Sequence, residues 1–458
     1  MASSSGLAQG EAAATGFGKK WIFMLKKKLL LISPRGSLMM ANRSFSRFVK
    51  SSVPMSTYMR FWSGMSTALL ILAALAEKKY DVRVVDENFS KVPYDEPWDL
   101  VGLTAVTQQA NRAYQIARRF RDRNIPVAMG GVHASVMLEE AGKHVDFVFV
   151  GEAEETWKAF LKDFEKGRPQ KIYRAQDYPD VSLTSSPLPR YDLINPETYK
   201  IVWVQTSRGC PHDCEFCAAS RIYGRRYRRK HVSQVVEEIQ YIHRHWKDAY
   251  IGFADDNMFV DRKYVLSLLE KIGRLNIRWF AQSDISVGAD RSYLHHLHQG
   301  GCKFLFIGLE SLSKKNLLGL NTNQWKMKTL PFYQSYVRNI QAEGIGVFGS
   351  FIVGFDHDTV STFERIQKFI LRNKLFGAQI SLLTPFPGSR LYTRLVAEKK
   401  ITCRNWDQYT GWNAVIRPDH LDQNQMESGI IRIYEEIYSQ ENRVKMLKHF
   451  KSLMKGRV

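Results

Sequence analysis

Strand-like and helix-like hydrophobic patterns alternate along most of this chain. Short apolar, β-branched runs at 29–33, 81–85, 100–105, 126–129 and 146–150 read as strands. Amphipathic spacing at 66–77, at 111–122, in a short stretch after 133, and from beyond the strand end 151–155 to about 166 reads as helix. Residues 43–63, rich in Ser, Arg and aromatic side chains, read as a loop. Strands alternating with helices predict right-handed βαβ units and a parallel sheet. Residues 24–170 are therefore expected to form an open, doubly wound domain; no Gly-x-Gly-x-x-Gly dinucleotide fingerprint accompanies it. Residues 171–199, with Pro179, Pro187, Pro189 and Pro196, read as a linker.

The alternation then resumes. Strands are predicted at 201–206, 249–254, 277–282, 304–309, 346–353 and 378–383, with helices at 232–245, 264–275, 293–299, 331–343 and 360–372. Polar residues or glycines stand at nearly every C-terminal strand edge: Asp255, Asp256 and Asn257, then Ser283, then Glu310 and Ser311, then Gly354. Six such repeats predict a partial (β/α)6 barrel over 200–397, open on one side, with its site at that edge. The basic stretch 398–458 is expected to be helical and to pack against the barrel, while 1–23, small and polar, is expected to be disordered.

Composition narrows the class. A length of 458 residues suggests two to three domains, and 44% hydrophobic with 24% charged residues is ordinary for a globular protein. The formal net charge is +21, part of it in the run 221–230. That run suits an anionic ligand or a solvated loop; nucleic acid is not expected, because no recognition module accompanies the charge. Contact with an anionic membrane surface stays open, but no run of about 18 apolar residues predicts a span. Basic residues follow the polar start of the chain instead of leading it, unlike a secretory signal. Five cysteines in so long a chain are no disulfide framework, and they point to a reducing cytoplasm.

Three of those cysteines carry the chemistry. Cys210, Cys214 and Cys217 follow the strand 201–206 in a Cys-x3-Cys-x2-Cys spacing. Thiolates this close in sequence hold iron–sulfur clusters. Three thiolates on a four-iron cluster leave one iron open to chelate a small molecule. Zinc is the first alternative, but it wants four ligands and no second Cys pair exists. His212 would have to be the fourth ligand, from a cramped position. Three buried structural cysteines are the second alternative. Asp256 and Glu310 also have a plainer reading, as helix N-caps. Cys302 and Cys403 read as packing residues, with an acid or radical-quenching role as the alternative.

With Phe216 before the third cysteine, the motif resembles the radical S-adenosylmethionine (SAM) superfamily, over about 200–397. The resemblance implies a [4Fe-4S] cluster on Cys210, Cys214 and Cys217, the metal-binding and catalytic set, and reductive cleavage of SAM to a 5′-deoxyadenosyl radical. It further implies that Asp255 and Asp256 meet the SAM amino group, that Glu310 and Ser283 contact the same cofactor, and that Ile352 opens the adenine platform. The N-terminal half is similar to cobalamin-binding domains, on 99–105 with Thr104, on Gly130, Gly131 and His133, and on Gly151 and Glu152. These loops would cradle cobalamin. The Asp-x-His-x-x-Gly motif is absent, so no protein histidine is expected below the cobalt; a domain that binds nothing is the alternative.

The stretches Cys214-Glu-Phe-Cys217, Ile222-Tyr-Gly-Arg225 and Asp255-Asp-Asn257 resemble the hopanoid and bacteriochlorophyll methylase subgroup. That implies methylation of an unactivated carbon of a small, hydrophobic or natural-product substrate, with flavodoxin or ferredoxin as electron donor. Cyclisation or rearrangement without methyl transfer is the alternative. A radical methylthiolase is disfavoured, since those enzymes need cysteines upstream of the motif and the first here is Cys210.

Overall fold

The computed structural model describes residues 26–36, 42–52, 55–56, 64–246, 248–321 and 323–455. The expected N-terminal extension 1–23 lies outside the described residues. Two six-stranded parallel sheets organise the rest. The first contains β1 (Lys27–Ser33), β2 (Tyr80–Asp86), β3 (Leu100–Thr104), β4 (Val127–Gly130), β5 (Phe147–Val150) and β6 (Ile172–Arg174). Their spatial order is β2-β1-β3-β4-β5-β6. β1 to β5 match the predicted strands; β6 lies where a linker was expected and adds an edge to β5. It is only three residues long and has no period to reveal it.

The second sheet runs β7 (Ile201–Val204), β10 (Tyr250–Phe253), β11 (Trp279–Ser283), β12 (Cys302–Glu310), β13 (Gly346–Val353) and β14 (Gly377–Leu382) in that spatial order. A short antiparallel ribbon, β8 (Ser207–Arg208) with β9 (Arg228–Arg229), carries the cysteine loop. The fold is the expected α/β arrangement, a doubly wound domain followed by a partial barrel and a helical tail.

Side chains on a strand alternate between faces, and here the alternation builds the barrel interior. Ile201, Phe280, Phe304 and Phe348 form one inward cluster, with Trp203, Phe306 and Phe376 packed on it. Phe280 stacks on Phe304 at 4.5 Å between ring centroids. Further along the same inward rows the residues turn polar: Gln282, Ser350, Gln379 and Ser381. The barrel is therefore plugged with aromatic rings at its foot and lined with polar groups at its mouth.

The stretch expected as a loop contains the helix Arg43–Ser51. Asn42 caps it, its Oδ1 accepting from Phe45 N at 2.9 Å. Nine residues are too few for isolated stability, so tertiary contact decides. Phe45 packs on Tyr434 at 5.1 Å, and Asn42 Nδ2 donates to Trp412 O at 2.8 Å. In the tail, helices Gln423–Ile437 and Gln440–Lys455 are preceded by irregular chain. Tyr434 and Tyr438 point their hydroxyls at the backbone of β14: Ile380 N donates to Tyr434 at 2.9 Å and Tyr438 donates to Ala378 O at 3.0 Å. These bonds occupy an edge that would otherwise be open to pairing.

One apolar cluster unites the halves. It runs from Phe120 and Met129 of the first domain to Leu320, Phe355, Leu383 and Val415 of the second.

Candidate active site

The cysteine loop is rooted by a buried carboxylate. Asp255, just past β10, accepts from Thr206 N at 2.7 Å, Ser207 N at 3.1 Å and Ser207 Oγ at 2.9 Å, and also from Thr206 Oγ1. Burial raises its pKa against the pull of these donors. Asp255 thus holds the root of the loop and does not line the cavity beyond it. Gly209 has φ +96°, and a Cβ there would lie 2.3 Å from Arg226 O, so the turn into Cys210 requires glycine. Downstream, Glu215 pairs with Arg394 at 2.7 Å, and Arg390 donates to Asp213 O at 2.6 Å.

Cys210, Cys214 and Cys217 open onto a cavity of about 370 Å³ at the barrel mouth. Phe216, Asp256, Ser283, Glu310 and Ile352 line the same cavity, so the cysteine loop and four segments far from it in sequence converge there. Burial pushes the Cys210 thiol up to about 11 and Cys214 to about 12, and raises Cys217. A bound cation removes such protons outright. Among the described residues, no three His, Cys, Asp or Glu side chains could hold a single metal ion. His212, the fourth ligand a zinc site would need, is committed elsewhere. It stacks on Trp325 at 4.3 Å, and its Nε2 lies 3.4 Å from Asp284 Oδ2. Burial alone would raise Asp284, but hydrogen bonds from His212, Ser286 and Asn257 outweigh it and hold the carboxyl well below its usual range. The donor set fits a cluster held by three thiolates with one corner left open.

Glu310 sits at a bulge in β12 with φ +63°. A non-glycine residue rarely adopts that backbone. Its carboxylate folds back over Gly308 to meet Lys326 Nζ at 2.9 Å, and Lys326 also donates to Gly308 O at 2.9 Å. Lys326 is buried, and Glu310 raises its pKa despite the opposing effect of burial. Nothing in the sequence singled out Lys326; it lies on a five-residue helix, Trp325–Thr329, outside every predicted element. Asp256 opens onto the cavity, where enclosure by the walls and the neighbouring Asp255 charge raise its carboxyl to about 6.

The first sheet has its own crevice, about 250 Å³, at the C-terminal ends of β3, β4 and β5. Thr104, Gly130, Gly131, Gly151 and Glu152 rim it, while Leu31, Gly102, Phe149, Trp157 and the helix Thr67–Ala76 wall it. Gly131 has φ +90°, and a Cβ there would lie 2.7 Å from Thr104 Oγ1. These small residues leave a narrow, largely apolar slot that opens at a sheet edge, a shape that fits a flat ring with a nucleotide tail. His133 does not reach it. The ring is fully buried, 3.0 Å from Tyr114 Oη and 3.6 Å from Glu140, edge-on to Trp406, and its pKa is lowered by burial. Glu152 faces Arg208 and Arg228, and its pKa is lowered; their hydrogen bonds and charges outweigh burial.

Residues 204–370 match the model of the Radical SAM superfamily, and residues 66–161 match that of the B12 binding domain. The chain thus combines a B12-binding domain with a radical SAM domain. Radical SAM enzymes of this kind use a [4Fe-4S] cluster, S-adenosylmethionine and cobalamin. Among relatives, the bacteriochlorophyllide d C-12(1)-methyltransferase of Chlorobaculum tepidum is 27% identical over 90% of this chain and 88% of its own length. The hopanoid C-2 methylase of Rhodopseudomonas palustris is 27% identical over 82% of this chain and 71% of its own. In fold, the chain resembles the radical SAM methyltransferase TsrM from Kitasatospora setae, with TM-score 0.63 and 16% identity over 81% of this chain and 76% of that one. No helix among the described residues is long and apolar enough to cross a membrane.

Proposed function

We propose that this radical SAM enzyme methylates an unactivated carbon of a small, hydrophobic substrate. One observation carries the reading: a thiol-lined cavity at the mouth of one sheet and a glycine-rimmed slot at the edge of the other, joined by shared packing and ion pairs. When bound, the cluster supplies the electron that splits SAM, and cobalamin carries the methyl group.

The chain's own residues then bind and orient. Cys210, Cys214 and Cys217 would hold the cluster, and His212, turned to Trp325 and Asp284, would not compete as a further ligand. Asp256 suits the SAM ammonium and Lys326 its carboxylate, with Glu310 fixing the lysine. Phe216 and Ile352 offer apolar surface for adenine, and Ser283 a hydroxyl. Thr104, Gly130, Gly131 and Gly151 suit the corrin and its tail; His133 is not offered to a metal. The aromatic plug keeps water from the foot of the barrel.

Arg221, Arg225 and Arg226 are exposed beside the cysteine loop, Arg225 donating to Pro211 O at 3.3 Å, and this charge suits an acidic electron carrier such as flavodoxin or ferredoxin. The five cysteines are free, which suits a reducing compartment.

The test is an anaerobic assay of reconstituted protein with SAM, cobalamin and reductant. Cys214→Ala is expected to abolish 5′-deoxyadenosine formation, and the wild-type product is expected to gain one CH2 unit. A product of unchanged carbon count would favour cyclisation or rearrangement instead.

A further inference from the structure

Two features that each suggested ligand binding in the sequence turn out to bind each other. The basic run 221–230 and the crevice residue Glu152 meet in one largely buried ion cluster between the domains. Arg228 Nη1 donates to Glu152 Oε2 at 2.7 Å and its Nη2 to Oε1 at 2.7 Å, a planar two-point grip. Arg208 Nη1 donates to the same carboxylate at 2.9 Å, and its Nη2 to Glu154 at 2.8 Å and Gln205 at 2.8 Å. The side-chain exposures are 9% for Arg208, 10% for Glu152, 11% for Glu154 and 18% for Arg228. Arg228 is tied back to its own domain by donating to Tyr223 O at 3.0 Å.

The location is what gives the cluster meaning. Glu152 follows Gly151, on the rim of the cobalamin slot. Arg208 precedes Cys210 by two residues, and Arg228 is its cross-strand partner in the β8–β9 ribbon. One carboxylate therefore grips both strands of the ribbon that bears the iron ligands. Much of the remaining seam is apolar, with Met137 and Leu138 in the same cluster as Phe216 and Phe386, and polar contacts such as Trp406 Nε1 to Glu140 at 2.7 Å and Asn111 Nδ2 to Asn405 at 2.9 Å are single hydrogen bonds without a two-point grip. Apolar burial is non-directional and tolerates sliding; a bidentate guanidinium–carboxylate pair sets direction and spacing. Burying charges is a poor route to stability, so a buried cluster at this point is better explained by geometry.

We propose that Glu152, Arg208, Arg228 and Glu154 form a positioning element that sets the distance between the cobalamin slot and the cluster cavity, and so couples SAM cleavage to methyl transfer. This rests on the function proposed above. Arg228 lines neither cavity, so its variants report on positioning alone. Arg228→Gln is expected to assemble the cluster, bind cobalamin and form 5′-deoxyadenosine as wild type does. The dipolar interaction between cob(II)alamin and the reduced cluster, read by electron paramagnetic resonance, is expected to broaden. Methylated product per 5′-deoxyadenosine is expected to fall by about tenfold to a hundredfold, the cost of a small misplacement. Arg228→Lys, which keeps the charge but not the fork, is expected to lie between.

An unchanged dipolar spectrum in Arg228→Gln would overturn the proposal, as would loss of cobalamin binding, which would make the cluster part of the cofactor site. If the wild-type protein binds no cobalamin, the functional reading falls instead. The spacing is then read between spin labels at exposed Lys162 and Lys271 in the cofactor-free chain, where a distribution no broader in Arg228→Gln than in wild type refutes the positioning role by itself.

Discussion

Lys326 shows how much a single residue can decide here. Its ammonium is buried at the cavity, 2.9 Å from Glu310, and has no other carboxylate partner in the described structure. Lys326→Met is expected to weaken SAM binding by about 2 kcal/mol, the scale of a hydrogen bond to a charged group. It also leaves Glu310 buried without its partner, which costs stability separately. Lys326→Met combined with Glu310→Gln is expected to recover the melting temperature but not the SAM affinity; recovery of both would remove Lys326 from the cofactor site. Asp256 makes a second prediction. Its folded pKa of about 6 lies above the ordinary carboxyl value of 3.8, so the proton favours the folded state. Cofactor-free stability is therefore expected to be highest below pH 4 from this group, and the penalty is complete above about 6. SAM affinity runs the opposite way: an ionised carboxylate is needed for the ammonium, so affinity falls as pH drops through about 6. Calorimetric titration of the reconstituted protein should show that fall, and Asp256→Asn should flatten it. The three cysteines were legible at this scale because their spacing is local. Lys326 was not, since its meaning comes from Glu310, sixteen residues away across a bulge.

At the scale of elements, period-two alternation was readable within each strand, but which face was inside was not. Phe304 and Leu305 are equally apolar; only the curvature of the sheet puts the first among the barrel rings and the second beneath the helices. The helix Arg43–Ser51 was read as a loop for a related reason: its stabilising partners, Trp412 and Tyr434, lie at the other end of the chain. The basic run 221–230 divides by element as well. Arg228 and Lys230 are turned inward, to Glu152 and Glu238, whereas Arg221, Arg225 and Arg226 remain exposed beside the cysteine loop. Charge complementarity acts mainly on encounter rates and is screened by salt. Arg225→Glu with Arg226→Glu is accordingly expected to slow the flavodoxin-driven reaction by about tenfold at low salt, with the dithionite-driven rate unchanged. Equal loss with both reductants would assign these arginines to the active site instead.

For the whole molecule, the shared apolar cluster and the ion cluster predict cooperative behaviour. Phe120 and Met129 share one core with Leu320 and Phe355, so neither half can unfold without exposing the other. The cofactor-free protein is expected to show a single calorimetric transition with equal calorimetric and van't Hoff enthalpies; two resolved transitions would show that the seam contributes little. The alternation of strands and helices, the open barrel of six repeats and the thiol motif were all determined by the sequence alone, because each depends on neighbours within a few turns or one strand. Tertiary structure alone decided that Asp255 roots the loop behind the cavity wall, that His133 is a buried partner of Tyr114, that Lys326 enters the cavity, and that Glu152 answers to Arg228. A side chain's type limits the partners it can take, but which one it takes depends on the distant segments that folding brings beside it.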